Sequence, residues 1–414
     1  MMTNSILPAG IAILSLYASA NAAPVKTVPW NGKAGAVSFT FDDNCASQVT
    51  NVLPSLKKRG ITGTFFVTGG FSGALSTWKQ AAMDGNELGN HTVSHPNLTT
   101  LSDSASIAKE IIDQAIALRA VDPSVEAVTL AYPNCATNAL IDRITDRENI
   151  IARTCGGSAQ FAWTSKPSNW MRATSFIVSD DASAEAALTS IDAAATSGSW
   201  LVTLNHGVGG DWLAITAAQA DSMFDRAIAR KTWIAPYQTV AAYWRASQVM
   251  DTVTAKATAT GWSMSWVSPH PKMPRKVALR IRLDSAVFGT SVTVTQNGTA
   301  IAREADGSHV IDFMQKTLAI TKVGSIGIGT MPKEGARSVR TWRDGNRLRI
   351  EGLPEGRWSW SLKNLSGRTV GQVNASESKD GRSAQFEIDA REGMLVVLGR
   401  SEGSMLAIPV PARF

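Results

Sequence analysis

Val37-Ser38-Phe39-Thr40-Phe41-Asp42-Asp43 alternates bulky apolar residues with small hydroxyl residues and ends in two carboxylates, and the stretch behind it, Ser47 to Arg59, carries a helical pattern. A strand that feeds a helix is half of a βα unit, and the rhythm recurs. Gly63-Thr64-Phe65-Phe66-Val67 precedes a helix-like Leu75 to Met83, and the helical pattern Ser104 to Arg119 leads to Val128-Thr129-Leu130-Ala131-Tyr132. Asn149-Ile150-Ile151-Ala152-Arg153 and Trp200-Leu201-Val202-Thr203-Leu204 follow. From Ala36 to about Arg245 this predicts an α/β fold with a parallel sheet, open or closed into a barrel, and chemistry at the carboxyl ends of its strands.

Beyond Ser247 the helical period disappears. Lys276 to Leu283, Ser291 to Gln296, Ser308 to Phe313 and Leu318 to Lys322 alternate as strands do, with turn signals at Asn297-Gly298 and Asp306-Gly307 between them. We expect a β-sandwich accessory domain over 248–323, a glycine-rich linker at 324–330 and a C-terminal β domain over 331–414.

At 414 residues, with 44% hydrophobic and 18% charged side chains, the chain is long enough for two or three domains and is neither a disulfide-stapled miniprotein nor a disordered tail. From residue 250 onward 23 Lys and Arg face 15 Asp and Glu, against 17 and 19 upstream, so the net +6 divides into +8 and −2. The basic residues are spread through strand-like sequence with no Lys/Arg block and no zinc-finger spacing, so we expect no nucleic-acid partner. The apolar run Ile6 to Leu16, too short to span a bilayer, precedes Ala18-Ser19-Ala20-Asn21-Ala22-Ala23, whose small residues suit signal-peptidase cleavage. Residues 1–23 therefore read as a signal peptide, with the chain secreted or held at a bacterial cell surface, although no Lys or Arg precedes the apolar run.

His91 and His95 are spaced i to i+4, so a single turn puts both imidazoles on one side. With a carboxylate from Asp42-Asp43 they fill three positions around Zn²⁺ or a similar divalent ion and leave one for water. Each feature alone is weak, because paired aspartates often only cap a helix. Together at strand ends of one domain, with a third histidine in Leu204-Asn205-His206, they point to a metal site.

These segments resemble the motifs of polysaccharide deacetylases of carbohydrate esterase family four, the NodB-homology domain. Thr40-Phe41-Asp42-Asp43 resembles the first motif, His91 to His95 the second, Ala131-Tyr132-Pro133-Asn134 the third and Leu204-Asn205-His206 the fifth, in order across 24–247. The resemblance implies a distorted, incomplete (β/α) barrel and metal-dependent removal of acetyl groups from a glycan. It implies that Asp43, His91 and His95 bind the metal (Zn²⁺, or Co²⁺ or Ni²⁺), that Asp42 is the general base and that His206 is the general acid. The backbone N–H of Asn134 would serve the oxyanion, and Leu204, Tyr132 and Trp163 would contact substrate.

Three positions depart from the family. The third motif's usual Arg and final Tyr are Ala131 and Asn134, the fourth motif is not recognisable, although Trp163 and Trp170 lie in that region, and Asn44-Cys45 replaces the usual Gly. Arg153 and Arg172 are the candidates for the missing cation, and we expect Arg153 to reach Asp42. Among three cysteines we favour a Cys135–Cys155 disulfide, with Cys45 as competitor or as a thiolate ligand. Of thirteen Trp, Trp78, Trp163, Trp170 and Trp212 lie in loop-rich parts, where indoles suit a glycan cleft, whereas Trp200 and Trp244 read as core anchors. The last segment also resembles the sorting modules of type IX secretion cargo, which implies a secretion-machinery partner, the alternative being another accessory sandwich. The expected protein is a monomer acting on an acetylated polysaccharide such as chitin, poly-N-acetylglucosamine, peptidoglycan or acetylxylan; the alternative is a non-catalytic glycan-binding protein that keeps the metal site.

Overall fold

The computed structural model describes residues 23–157 and 159–322 and, beyond them, the strands between 340 and 410. The signal-peptide segment and the linker lie outside the described residues, and of the C-terminal segment with the proposed sorting motifs only the strands are described. No helix among the described residues is long and apolar enough to cross a membrane.

The strands of the first region are β1 Val25–Thr27, β2 Ala36–Asp42, β3 Thr64–Val67, β4 Glu87–Asn90, β5 Thr129–Ala131, β6 Ile151–Arg153, β7 Gln160–Ala162, β8 Phe176–Val178, β9 Ser199–Asn205 and β10 Trp233–Ile234. Between them stand helices α1 Leu53–Arg59, α2 Leu75–Met83, α3 Ser104–Arg119, α4 Ala139–Thr145, α5 Asp181–Ser197, α6 Ala217–Ala229 and α7 Tyr237–Met250. The main sheet runs β6-β5-β4-β3-β2-β9-β7, with β8 on β9 and β10 on β2. Every pairing in it is parallel except β7 with β9.

The sheet curls into the distorted barrel expected. Its two sides are joined through the segment that leads into β8: Arg153 forms a parallel bridge with Ala173, Thr154 N–H donates to the Ala173 carbonyl at 2.7 Å, and β8 then pairs with β9. All of β2 and β9 is buried, as parallel strands covered on both faces must be. On β2, Phe39 and Phe41 face outward into the apolar layer formed with Leu56, Trp78, Leu118, Ile191 and Phe224 of the helices. The period of two then gives Ser38, Thr40 and Asp42 to the interior, where Glu87 of β4 is buried too, bonded by Thr64, Thr129 and the Gln238 N–H. Helix ends follow ordinary rules. Asp180 caps α5 through the Ser183 N–H at 2.7 Å, and α1 and α5 stop at left-handed Gly60 and Gly198.

The chain divides into two compact units. The first comprises residues up to 255 with 264–287 and 296–318. Within it β1 pairs antiparallel with the strand Ala278–Leu283, which in turn pairs with His309–Asp312. The second unit holds residues 256–263, 288–295 and everything from 319 onward. Its described parts are antiparallel: Val292 to Thr295 against Ala319 to Lys322, a three-stranded sheet of Arg340–Asp344, Arg347–Glu351 and Ser383–Glu387, and a four-stranded sheet of Thr369–Val373, Ser359–Asn364, Leu395–Ser401 and Ser404–Val410.

Candidate metal and acid–base site

The carboxyl ends of β2, β4 and β9 bring the predicted polar residues together. Asp42 ends β2 with its side chain inward, and Asp43 leaves the strand with left-handed backbone (φ 70°), its N–H donating to the Phe66 carbonyl at 3.2 Å. That turn points two adjacent carboxylates in different directions. After β4, Thr92 and His95 are likewise left-handed (φ 66° and 56°). The loop is held from both sides: the Thr92 N–H donates to Asn90 Oδ1 at 2.8 Å, and Ser94 donates twice to Glu110 of α3, from its N–H at 2.8 Å and its hydroxyl at 2.7 Å.

His91 Nε2 lies 3.2 Å and His95 Nε2 3.4 Å from Asp43 Oδ1, and the three donor atoms fall within 4.8 Å of one another. His91 Nδ1 is 2.8 Å from the Ala131 carbonyl. A carbonyl can only accept, so Nδ1 carries the proton and Nε2 turns its lone pair to the cluster. Burial by itself raises the Asp43 carboxyl, but the hydrogen bond and charge of His91 when Nε2 also carries a proton, with Trp212 and His95 behind it, prevail and hold it well below the ordinary carboxylate range; a divalent ion would stand in place of that proton. His95 is lowered by burial and by the neighbouring His91. Two imidazoles able to offer lone pairs and one carboxylate held anionic fit a divalent ion of the zinc type.

Asp42 is the other half of the site. Arg153 Nη2 lies 2.5 Å from both of its carboxylate oxygens, and Arg153 Nη1 donates to Ser175 Oγ at 3.1 Å. The guanidinium rests over the Phe66 ring, 4.9 Å from its centroid, and is 2% exposed. His91 Nε2 stands 3.9 Å from Asp42 Oδ2, so the base candidate borders the metal cluster without being a member of it. His206 follows β9 and places Nε2 3.7 Å from Asp43 Oδ2. Its Nδ1 is buried and has no hydrogen-bond partner among the described residues. A buried amide ties the two ends together: Gln48 Nε2 donates to the Asp42 carbonyl at 2.6 Å and to the His206 carbonyl at 3.0 Å.

Asn134 is exposed on the short turn Pro133–Cys135, with φ 54°, and Cys135 is disulfide-bonded to Cys155 across the ends of β5 and β6 (Cα–Cα 5.5 Å). Leu204 is buried in β9 between Thr40 and Ile177. The placements of Tyr132 and Trp163 differ from the sequence reading, while Arg172 leaves Asp42 to Arg153 as expected. The Tyr132 ring packs among Leu98, Ile111, Leu130 and Ile141, and its hydroxyl faces Asp142 of α4 at 3.5 Å, so it offers no side chain to substrate. Trp163 follows the one antiparallel strand and emerges beside Ser199, the starting end of β9, where it meets Trp30 edge to face at 4.9 Å and accepts the Trp244 indole N–H on its carbonyl. Arg172 pairs with Asp142 at 2.6 Å instead of Asp42. Cys45 is free and buried, its thiol pushed up to about 12 by burial and then by Asp211, Asp43 and Asp42, and it is not a member of the Asp43–His91–His95 cluster. Gln48, Ser175 and the Trp212 indole on Asp43 were not foreseen.

Residues 31–150 match the family model described as polysaccharide deacetylase. That range contains Asp42, Asp43, His91, His95 and Asn134 and stops short of Arg153, Leu204 and His206. The chain is 32% identical over 101 residues to a gellan lyase of Bacillus sp, covering 24% of this chain and 4% of that protein. It is 42% identical over 72 residues to the peptidoglycan-N-acetylmuramic acid deacetylase PdaA of Bacillus subtilis, 17% of this chain and 27% of that protein. Over 142 residues it is 28% identical to a chitooligosaccharide deacetylase of Rhizobium leguminosarum bv. trifolii, 33% of this chain and 60% of that protein. In each case the chain spans less than two thirds of the relative's length. Over residues 31–150, then, the chain is similar to the family described as polysaccharide deacetylase.

Proposed function

We propose that the chain is a secreted, metal-dependent deacetylase that hydrolyses N-acetyl or O-acetyl groups of a polysaccharide. The observation that carries this reading is the meeting of three metal-type donors, Asp43, His91 and His95, with a separate carboxylate, Asp42, held by Arg153. A divalent ion on the three donors would supply Lewis acidity toward the acetyl carbonyl and the water. Asp42 accepts the proton of the attacking water while the water oxygen bonds to the acetyl carbon. His206 then gives a proton to the leaving nitrogen or oxygen as its bond to that carbon breaks, releasing acetate and a free amine or hydroxyl. Arg153 fixes the Asp42 carboxylate, and the Asn134 N–H is a donor for the oxyanion.

A second reading, a glycan-binding protein without turnover, is favoured by the unpartnered His206 Nδ1, since a general acid ordinarily has its second nitrogen oriented by an acceptor. Acetate release from a panel of acetylated chitin, peptidoglycan and xylan fragments, before and after chelation and with zinc restored, separates the two. Zinc-dependent release supports the deacetylase, and glycan binding without acetate selects the other. Export is part of the same reading, and sequencing the mature N-terminus tests it, with cleavage after Ala22 or Ala23 expected.

A further inference from the structure

Trp212 lies on the loop after His206, between Asp211 and Leu213, and both neighbours have left-handed backbone (φ 66° and 47°). A leucine in that conformation costs about 1–2 kcal/mol, so the surroundings must impose the shape. They do so at several points. Asp211 accepts the Ser47 N–H at 2.8 Å, the Trp212 carbonyl accepts the Gly207 N–H at 3.1 Å, and Gly209 N–H donates to the Ile215 carbonyl at 2.7 Å. So braced, the loop aims the indole inward: Nε1 donates at 3.0 Å to Asp43 Oδ2, which His206 Nε2 also approaches at 3.7 Å, whereas His91 and His95 face Oδ1. The residue stays 53% exposed, unlike Trp30, Trp78, Trp200 and Trp244, none above 1%. Val93, between the two histidines, is exposed as well.

An exposed indole held in a strained loop and hydrogen-bonded to a metal-type carboxylate is poorly explained by packing. We propose that Trp212 has two tasks, fixing through its N–H the orientation of the Asp43 carboxylate and offering its open face to the pyranose ring that carries the scissile acetyl group. The second task rests on the deacetylase reading; the first requires only a metal at Asp43. A sugar ring presents C–H groups on its faces, and an indole supplies a flat apolar partner of matching width.

The test separates the tasks by substitution. Trp212→Phe keeps an aromatic face and removes the donor; Trp212→Ala removes both. Zinc affinity of the full chain, measured by chelator competition, should fall about tenfold in each variant, as is usual when a partner of a metal ligand is lost. Binding of N-acetylglucosamine oligomers is measured by calorimetry on the zinc-loaded chain carrying Asp42→Asn. It should stay within about twofold for Trp212→Phe and weaken about tenfold for Trp212→Ala, the scale of one aromatic contact. Unchanged zinc affinity in both variants overturns the first task, and equal glycan binding by the chains with Trp212 and with Trp212→Ala overturns the second. If the chain with Trp212 intact binds none of the acetylated glycans in the panel, the deacetylase reading fails, and the zinc measurement still decides the first task.

Discussion

Arg153 and Asp42 touch although their strands are separated by three others in the sheet, β6-β5-β4-β3-β2. In a flat sheet four strand spacings come to about 19 Å, far beyond the combined reach of one arginine and one aspartate. Their contact therefore depends on curvature, and the bridge from Arg153 to Ala173 is what holds that curvature beside the site.

Removing the arginine should cost both rate and stability. Arg153→Met leaves Asp42 buried without its cation, and breaking such a pair destabilises a protein by about 3–5 kcal/mol. We expect kcat to drop at least about 100-fold with KM held, since a base misplaced by about 1 Å loses that much. Arg153→Lys should recover part of kcat, having the charge without the fork. Steady-state kinetics beside thermal unfolding checks it; full activity in a folded Arg153→Met variant would remove Arg153 from the site.

Asp42→Asn keeps size and loses basicity. Its expected outcome is a zinc-loaded protein with kcat reduced about 10²–10⁴-fold. Zinc content by elemental analysis distinguishes this from loss of a ligand, which would empty the site.

Replacing His91 or His95 by Ala should abolish stoichiometric zinc. The two differ in burial, with 3% and 35% of the side chain exposed. His91→Ala should also lower the unfolding temperature, because it leaves the Ala131 carbonyl without its partner, whereas His95→Ala should lower only metal affinity.

The Cys135–Cys155 bond closes a loop of about 20 residues, worth about 3 kcal/mol in chain entropy. The double Ser variant should therefore unfold at lower denaturant than the oxidised protein, with activity reduced through the freed Asn134 turn. Equal midpoints in urea would mean that the bond braces nothing.

Cys45 should resist alkylation. With its thiol at about 12, only about one molecule in ten thousand is thiolate at pH 8 in the folded state. Because the folded value lies above the unfolded one, the contribution to stability is complete below about pH 9 and is lost as pH rises toward 12. Iodoacetamide labelling followed by mass spectrometry should show modification of Cys45 only after denaturant is added.

Much of the site could be read from sequence because its residues end strands that run the same way. Asp42 and Arg153 end, and His91 and His206 directly follow, strands that run parallel to their neighbours in the barrel, so one rule about strand ends located them. Trp163 was misplaced by that same rule, since β7 is antiparallel and its following residue comes out at the opposite rim. Tyr132 went wrong for a different reason: the turn after β5 sends its ring toward α4, and an aromatic next to a site motif is indistinguishable from a core aromatic by pattern. Gln48 and Trp212 act through single long-range hydrogen bonds, which leave no periodic mark in the chain.

The pairing of Val25 to Thr27 with Ile281 to Leu283 joins segments about 250 residues apart, and the order of synthesis gives that distance a meaning. Among the described residues, the strand Val25–Thr27 pairs with nothing made before residues 281–283, so the ribosome delivers the whole barrel before this seam can be sewn. A chain stopped at residue 247 would keep Asp42, Asp43, His91, His95, Arg153 and His206 and yet never complete this seam, leaving the N–H of Val28, which otherwise donates to the Arg280 carbonyl at 2.9 Å, without its partner. Recombinant chains trimmed to the barrel should thus be slower to mature and easier to digest from their amino end than chains that continue past residue 312.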